Sequence, residues 1–178
     1  MTTVVDNLYD QYTQLNDYLS EAGEITLQSV ANENFRKALL IAAGSHFEVK
    51  LRDELLKFFG EASNNHPLTL KFIDNQAIQR QFHSFFDWNA PNANRFFRLF
   101  GEEFSDYMKA EVKSEVDLDR AAKAFIEIGA ERNRLVHQDF GSYSLEKTSK
   151  EIYDLYRDGS RFLTIFLTKL RSFASNLG

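Results

Sequence analysis

Arg132, Asn133 and His137 carry side chains suited to chemistry on a phosphate ester. They lie in the stretch Glu131-Arg132-Asn133-Arg134-Leu135-Val136-His137-Gln138-Asp139-Phe140. An imidazole exchanges protons near neutral pH and serves as general base or acid. A guanidinium keeps its charge and takes phosphate oxygens in pairs. With roughly 100° per residue on an ideal helix, Asn133 and His137 stand at i and i+4, where the amide can orient the ring. Arg132 falls about 140° from His137 on the same wheel. The two converge only if the helix loosens before His137, or if a second chain completes the site across a two-fold axis. The bland alternative makes His137 a capping residue at a helix C-terminus, where the macrodipole favours a cation. Asn133 would then be an ordinary bonder of terminal carbonyls.

The helix that must hold these residues has three faces. Leu118, Ala121, Phe125, Ile128, Leu135 and Val136 form an apolar one, directed toward a core. Arg120, Lys123, Glu127, Glu131 and Arg134 form a charged one. Between them run Ala122, Ile126, Gly129 and Ala130, followed by Asn133 and His137. A simple amphipathic helix has two faces. The small residues allow close approach of another helix, and the polar end predicts a cleft where the two helices diverge. Asp117 or Asp119 is the expected N-cap.

Around this helix the chain reads as all-α, one domain of 178 residues with a helical insertion at about 61–116. Apolar residues recur every three or four positions from Val4 to Leu19, and Gly23 closes that helix. A second helix runs from about Leu27 to Phe59, with Leu40, Ala43, Phe47, Leu51, Leu55 and Phe58 on one side and Gly60 at its end. Ser63 to Pro67 is a loop. Leu68 to Phe86 reads as one helix, Asp87 to Asn94 as a break, and Phe96 to Met108 as a shorter helical piece. Ser144 is the expected N-cap of a last helix reaching Ala174, with a bend at Gly159-Ser160. The absence of cysteine removes disulfides, thiolate metal sites and a Cys nucleophile, and fits a reducing, cytoplasmic setting. No apolar run approaches membrane-spanning length, and the N-terminus lacks the features of a signal peptide. A net charge of −5 argues against bulk nucleic-acid binding but leaves room for a small basic cleft.

The Arg-x4-His spacing, with Asn directly after the Arg, resembles the signature of HEPN domains. Asn34 to Glu48 looks like the small-residue helix that precedes the motif helix in the ribonuclease L-like, RiboL-PSP branch. The resemblance covers residues 28–60 and 117–172. It implies a HEPN-type helical bundle acting on RNA as a metal-independent endoribonuclease, with no cofactor. In that chemistry the ribose 2′-hydroxyl attacks the adjacent phosphate and leaves a cyclic phosphate. His137 would move the proton, Arg132 would steady the charge, and Asn133 would hold the ring or the phosphate. The resemblance also implies a homodimer with facing motifs, and a toxin or anti-phage context with an antitoxin or defence-complex partner.

Supporting positions follow. Ser45, Glu48 and Arg52 form one line on the second helix. Glu48 and Arg52 at i, i+4 read first as a salt bridge; the functional version puts Glu48 beside the motif His. Arg134 reads as a solvated residue or an RNA-backbone contact. His46, His66 and His83 have no partners at metal-ligand spacing, and no metal site is expected. The Phe-rich 82–108 stretch reads as packing, with base stacking or a partner surface as the alternative. Rival functions are a non-catalytic HEPN dimer that binds RNA, a nucleotide or a protein, and an antitoxin or immunity protein using that Phe-rich stretch.

Overall fold

The computed structural model describes residues 2–177, and among them the regular elements are all helical. Thr3 opens α1 (Val4–Glu21) with a capping box: its hydroxyl accepts from the Asp6 amide and the Asp6 carboxylate accepts from the Thr3 amide. Gly23, at φ +71°, turns the chain into α2 (Ile25–Ala62). Leu40, Ala43, Phe47, Leu51 and Leu55 are buried at the expected spacing, with Phe58 at the margin. The helix runs past Gly60 and ends in a turn with Asn64 and Asn65 at positive φ.

Residues 68–86 do not form one helix. α3 (Pro67–Ile73) passes into a π turn at Asp74–Ile78, and Arg80 at φ +62° reverses the chain before the short α4 (Phe82–Phe85). Such a backbone is costly for a residue with a Cβ. It turns Phe82 inward and leaves His83 exposed. α5 (Asn94–Arg98) and α6 (Glu102–Ser114) follow.

α7 (Val116–His137) starts without a side-chain cap, and both Asp117 and Asp119 lie in its first turn, where their charge suits the helix dipole. It packs most extensively on α8 (Ser149–Ser175), and also on α2 and α6. Leu145 is buried in the intervening loop. Consequently the N-cap of α8 is Thr148, four residues beyond the expected Ser144, with a second capping box to Glu151. It continues unbroken through Gly159 and Ser160. The apolar residues Ile152, Tyr156, Phe162, Leu163, Phe166, Leu167 and Leu170 recur every three or four positions and are buried, with Leu155 at the margin.

Phe82, Phe85, Phe86, Phe96, Phe97 and Phe104 are all buried and belong to one cluster with the core residues of α2, α7 and α8. Phe86 lies 5.0 Å from Phe125 between ring centroids, and Phe96 lies 4.7 Å from Phe166. Each such ring is worth about 1.5–3 kcal/mol by burial alone. These side chains therefore serve the core, as the packing reading expects, while Phe100 stays partly exposed and, with Phe59, Phe85, Phe96 and Leu99, lines a cavity of about 410 Å³. No helix among the described residues is long and apolar enough to cross a membrane.

Candidate functional site

Two faces of α7 are buried. Leu118, Ala121, Phe125, Ile128 and Leu135 meet the bundle as expected. Val136 does not join them and is 44 % exposed, because the last turn of α7 projects beyond its neighbours. The small-residue face is also covered, and its cover comes from the same chain. Asp87 builds a turn by accepting from the Asn89 amide at 3.1 Å, and this seats the indole of Trp88 on Gly129. A Cβ at position 129 would lie 1.9 Å from Trp88 Cζ3, so only glycine fits beneath the ring. Trp88 further packs on Phe82 and Phe86, and its indole N–H donates to the His83 carbonyl at 3.0 Å. The close approach expected of another helix is thus made at Gly129 by the indole of Trp88 instead.

Where α7 outruns this cover, a cleft of about 570 Å³ opens. Asn133, Arg134 and His137 form one wall, while His83, Asp87, Trp88 and Arg95 form the other. The expected cleft at the polar end of the helix is present, and its second wall is the 83–95 segment. Lys37 steadies the chain just after His137. It is almost fully buried on α2, donates to the Phe140 carbonyl at 2.9 Å, and pairs with Glu33 at 3.3 Å. Glu131 ties the same region to α7, accepting from Tyr143 Oη at 2.9 Å and from Arg134 Nη2 at 2.5 Å. That hydrogen bond to Glu131 raises the already high pKa of Arg134, so the residue keeps its charge. Burial, aided by Glu131, pushes the Tyr143 hydroxyl up.

Arg132 points away from the open cleft, as the helical wheel requires. Its stem lies across Gly44 of α2, where a Cβ would stand 3.0 Å from Arg132 Cγ. Its head spans two groups: Glu48 Oε2 lies 3.8 Å from Nη2, and His83 Nε2 lies 3.2 Å from Nη1. Arginine only donates, so Nε2 of His83 accepts. Arg132 Nε is buried without a partner. Thus Arg132 reaches the cleft only through His83. Asn133 Oδ1 is buried with no partner rather than bonded to the His137 ring, so the amide does not orient the imidazole in this structure.

Glu48 and Arg52 do not pair. Arg52 turns to Asp74 at 3.6 Å, and Glu48 meets Arg132 instead of the motif His. Ser45 is half-buried one position from Gly44 and does not line the cleft. Sequence spacing gives His83 no partner for a metal, yet it is the residue that links Arg132 to the cleft. No group of three His, Asp or Glu side chains able to hold a metal ion occurs among the described residues.

The sequence profile of the RiboL-PSP-HEPN family matches residues 6–172. The chain belongs to this HEPN family. The 61–116 segment, which walls the cleft, falls between the ends of that match. HEPN domains are often ribonucleases, and they commonly bind RNA and dimerise. No curated protein and no solved structure matches the chain.

Proposed function

We propose that this HEPN domain is a metal-independent endoribonuclease of the toxin or anti-phage defence type, working as a homodimer. The observation that carries the reading is the shared cleft: Asn133 and His137 face His83 across it, and His83 holds the Arg132 guanidinium. The 2′-oxygen of a ribose attacks its own phosphate, the O2′–P bond forms as the P–O5′ bond breaks, and a cyclic phosphate is left. His137 transfers a proton, and Arg132 turns from His83 to the phosphate oxygens. Arg95 on the rim brings positive charge to a cleft where Arg134 is paired with Glu131 and Asp87 is also present, in a chain whose net charge is −5. That balance favours a narrow RNA target, or a partner protein that brings the RNA. The exposed side chains flanking the motif, Val136 and Phe140, support a docking face for the second chain there, since Trp88 covers Gly129 on the small-residue face.

One observation favours a second reading, a non-catalytic HEPN dimer that binds RNA or a nucleotide. Arg132 lies between α2 and α4 and is engaged at both ends of its head. Incubation of total RNA with the chain in EDTA separates the two. Cleavage that persists in EDTA and vanishes in His137→Ala supports the nuclease. A stable dimer that binds RNA and cuts nothing supports the binding module.

A further inference from the structure

We infer that His83 is a second proton-transfer residue, and that each chain carries its own complete acid–base pair. The inference rests on the nuclease reading above. Attack by a 2′-hydroxyl needs a group to take its proton and another to protonate the departing 5′-oxygen. The motif supplies one imidazole, His137. A second copy could bring another, but this chain already has one on the facing wall. His83 is exposed, lines the same cleft as Asn133 and His137, and touches the motif arginine.

The hydrogen bonding assigns the roles. Nε2 of His83 accepts from Arg132 Nη1 at 3.2 Å, so its lone pair points at the motif. Accepting at Nε2 is the geometry a proton-taking group needs. The hydroxyl proton of the substrate takes the place of the Arg132 N–H, and the displaced guanidinium moves onto a non-bridging phosphate oxygen. The 2′-O–H bond breaks toward His83, the O2′–P bond forms, the P–O5′ bond breaks, and a proton from His137 goes to O5′. No oxidant or metal enters the balance. The backbone is braced for this task. Trp88 Nε1 donates to the His83 carbonyl, and the left-handed turn at Arg80 sets the start of α4. A strained backbone beside an exposed, arginine-bound histidine is the pattern expected where position matters more than stability.

The experiment uses the full chain and an oligoribonucleotide spanning a cut mapped with the wild type. His83→Ala removes the ring. His83→Gln keeps an acceptor for Arg132 but cannot take a proton away. Both variants should lose about 100- to 10,000-fold in cleavage rate, the usual worth of a general acid or base. Replacing the bridging 5′-oxygen by sulfur creates a leaving group that needs no acid. That substrate should rescue His137→Ala and leave His83→Gln inactive. Co-expressing His83→Ala with His137→Ala should restore nothing, because neither chain then holds a complete pair. Wild-type cleavage with His83→Gln fully active overturns the inference alone and leaves His83 as a support for Arg132. Rescue of His83→Gln by sulfur overturns the assignment of roles. Restoration in the mixed dimer shows a pair formed across chains and likewise overturns it. A wild type that cuts no RNA ends the nuclease reading and this one together.

Discussion

Replacing Gly129 by Ala tests whether the cleft depends on its aromatic wall. The new methyl would stand 1.9 Å from Trp88 Cζ3, 2.6 Å from Cη2 and 2.7 Å from Cε3. Carbon atoms settle at about 3.5–4.0 Å, so the indole must retreat by roughly 1.6–2 Å or leave its seat. Two terms then oppose each other. Alanine favours the helix over glycine by about 1 kcal/mol. Overpacking costs about 1–3 kcal/mol. The net loss is about 0–2 kcal/mol, and at about 2–4 °C per kcal/mol for a chain of this size the melting temperature drops by less than about 8 °C. Function should suffer far more, because the ring that moves also donates to the His83 carbonyl. The assay is direct, since Trp88 is the sole tryptophan. Its emission should shift to the red in Gly129→Ala, while far-UV circular dichroism stays helical and RNA cleavage falls by at least about tenfold, as a displacement near 1 Å can cost even more. Wild-type emission together with wild-type cleavage would refute the placement of Trp88 and the dependence of the site on it.

Further outcomes follow from the same contacts. Arg132→Ala should lower cleavage by about 100- to 1,000-fold, the cost of losing one charge-stabilising donor, and Arg132→Lys should recover only part because it lacks the planar fork; single-turnover rates on one RNA check both. Glu48→Gln should change stability by less than about 1 kcal/mol, because a half-exposed pair at 3.8 Å is weak, and chemical denaturation measures it. Val136→Asp should split the dimer in light scattering while leaving the fold intact. The docking of α1 should depend on pH at both extremes. Burial raises the Asp6 carboxyl, but donors from Thr3 and Tyr153 outweigh it and hold it below its usual range. Its contribution is therefore present above the unfolded value of about 3.9 and fades as pH falls through the lower folded value. Tyr153 is pushed up to about 12 by burial and by Asp6. Its contribution holds below the unfolded value of about 10 and is lost as pH rises toward the folded one. Proteolysis of α1 across pH should show both losses, and Tyr153→Phe should flatten the alkaline one.

Much of this molecule can be read from residue spacing. The stripes of α2, α7 and α8 recur every three or four positions because each helix buries one side along its length, and local periodicity reports that. The motif could be found because Arg132, Asn133 and His137 are neighbours in sequence. His83 could not, since its contact with Arg132 spans 49 residues, and no periodicity marks a histidine that faces a cleft. The cover on Gly129 was hidden for the same reason: small residues announce a close approach but not what approaches. Val136 misled because a wheel has no information about where the neighbouring helices stop. The start of α8 was written in the chain all along, in Thr148 followed three residues later by Glu151, the reciprocal pattern that caps a helix.

The fit of Trp88 over Gly129 has a bearing on recombination. The 82–97 stretch and the motif helix are moulded to each other at a point where the tolerance is less than one methyl group. A chimera that exchanges one without the other inherits either a ring with no seat or a hollow over Gly129. These two parts of the chain must be transplanted as a unit.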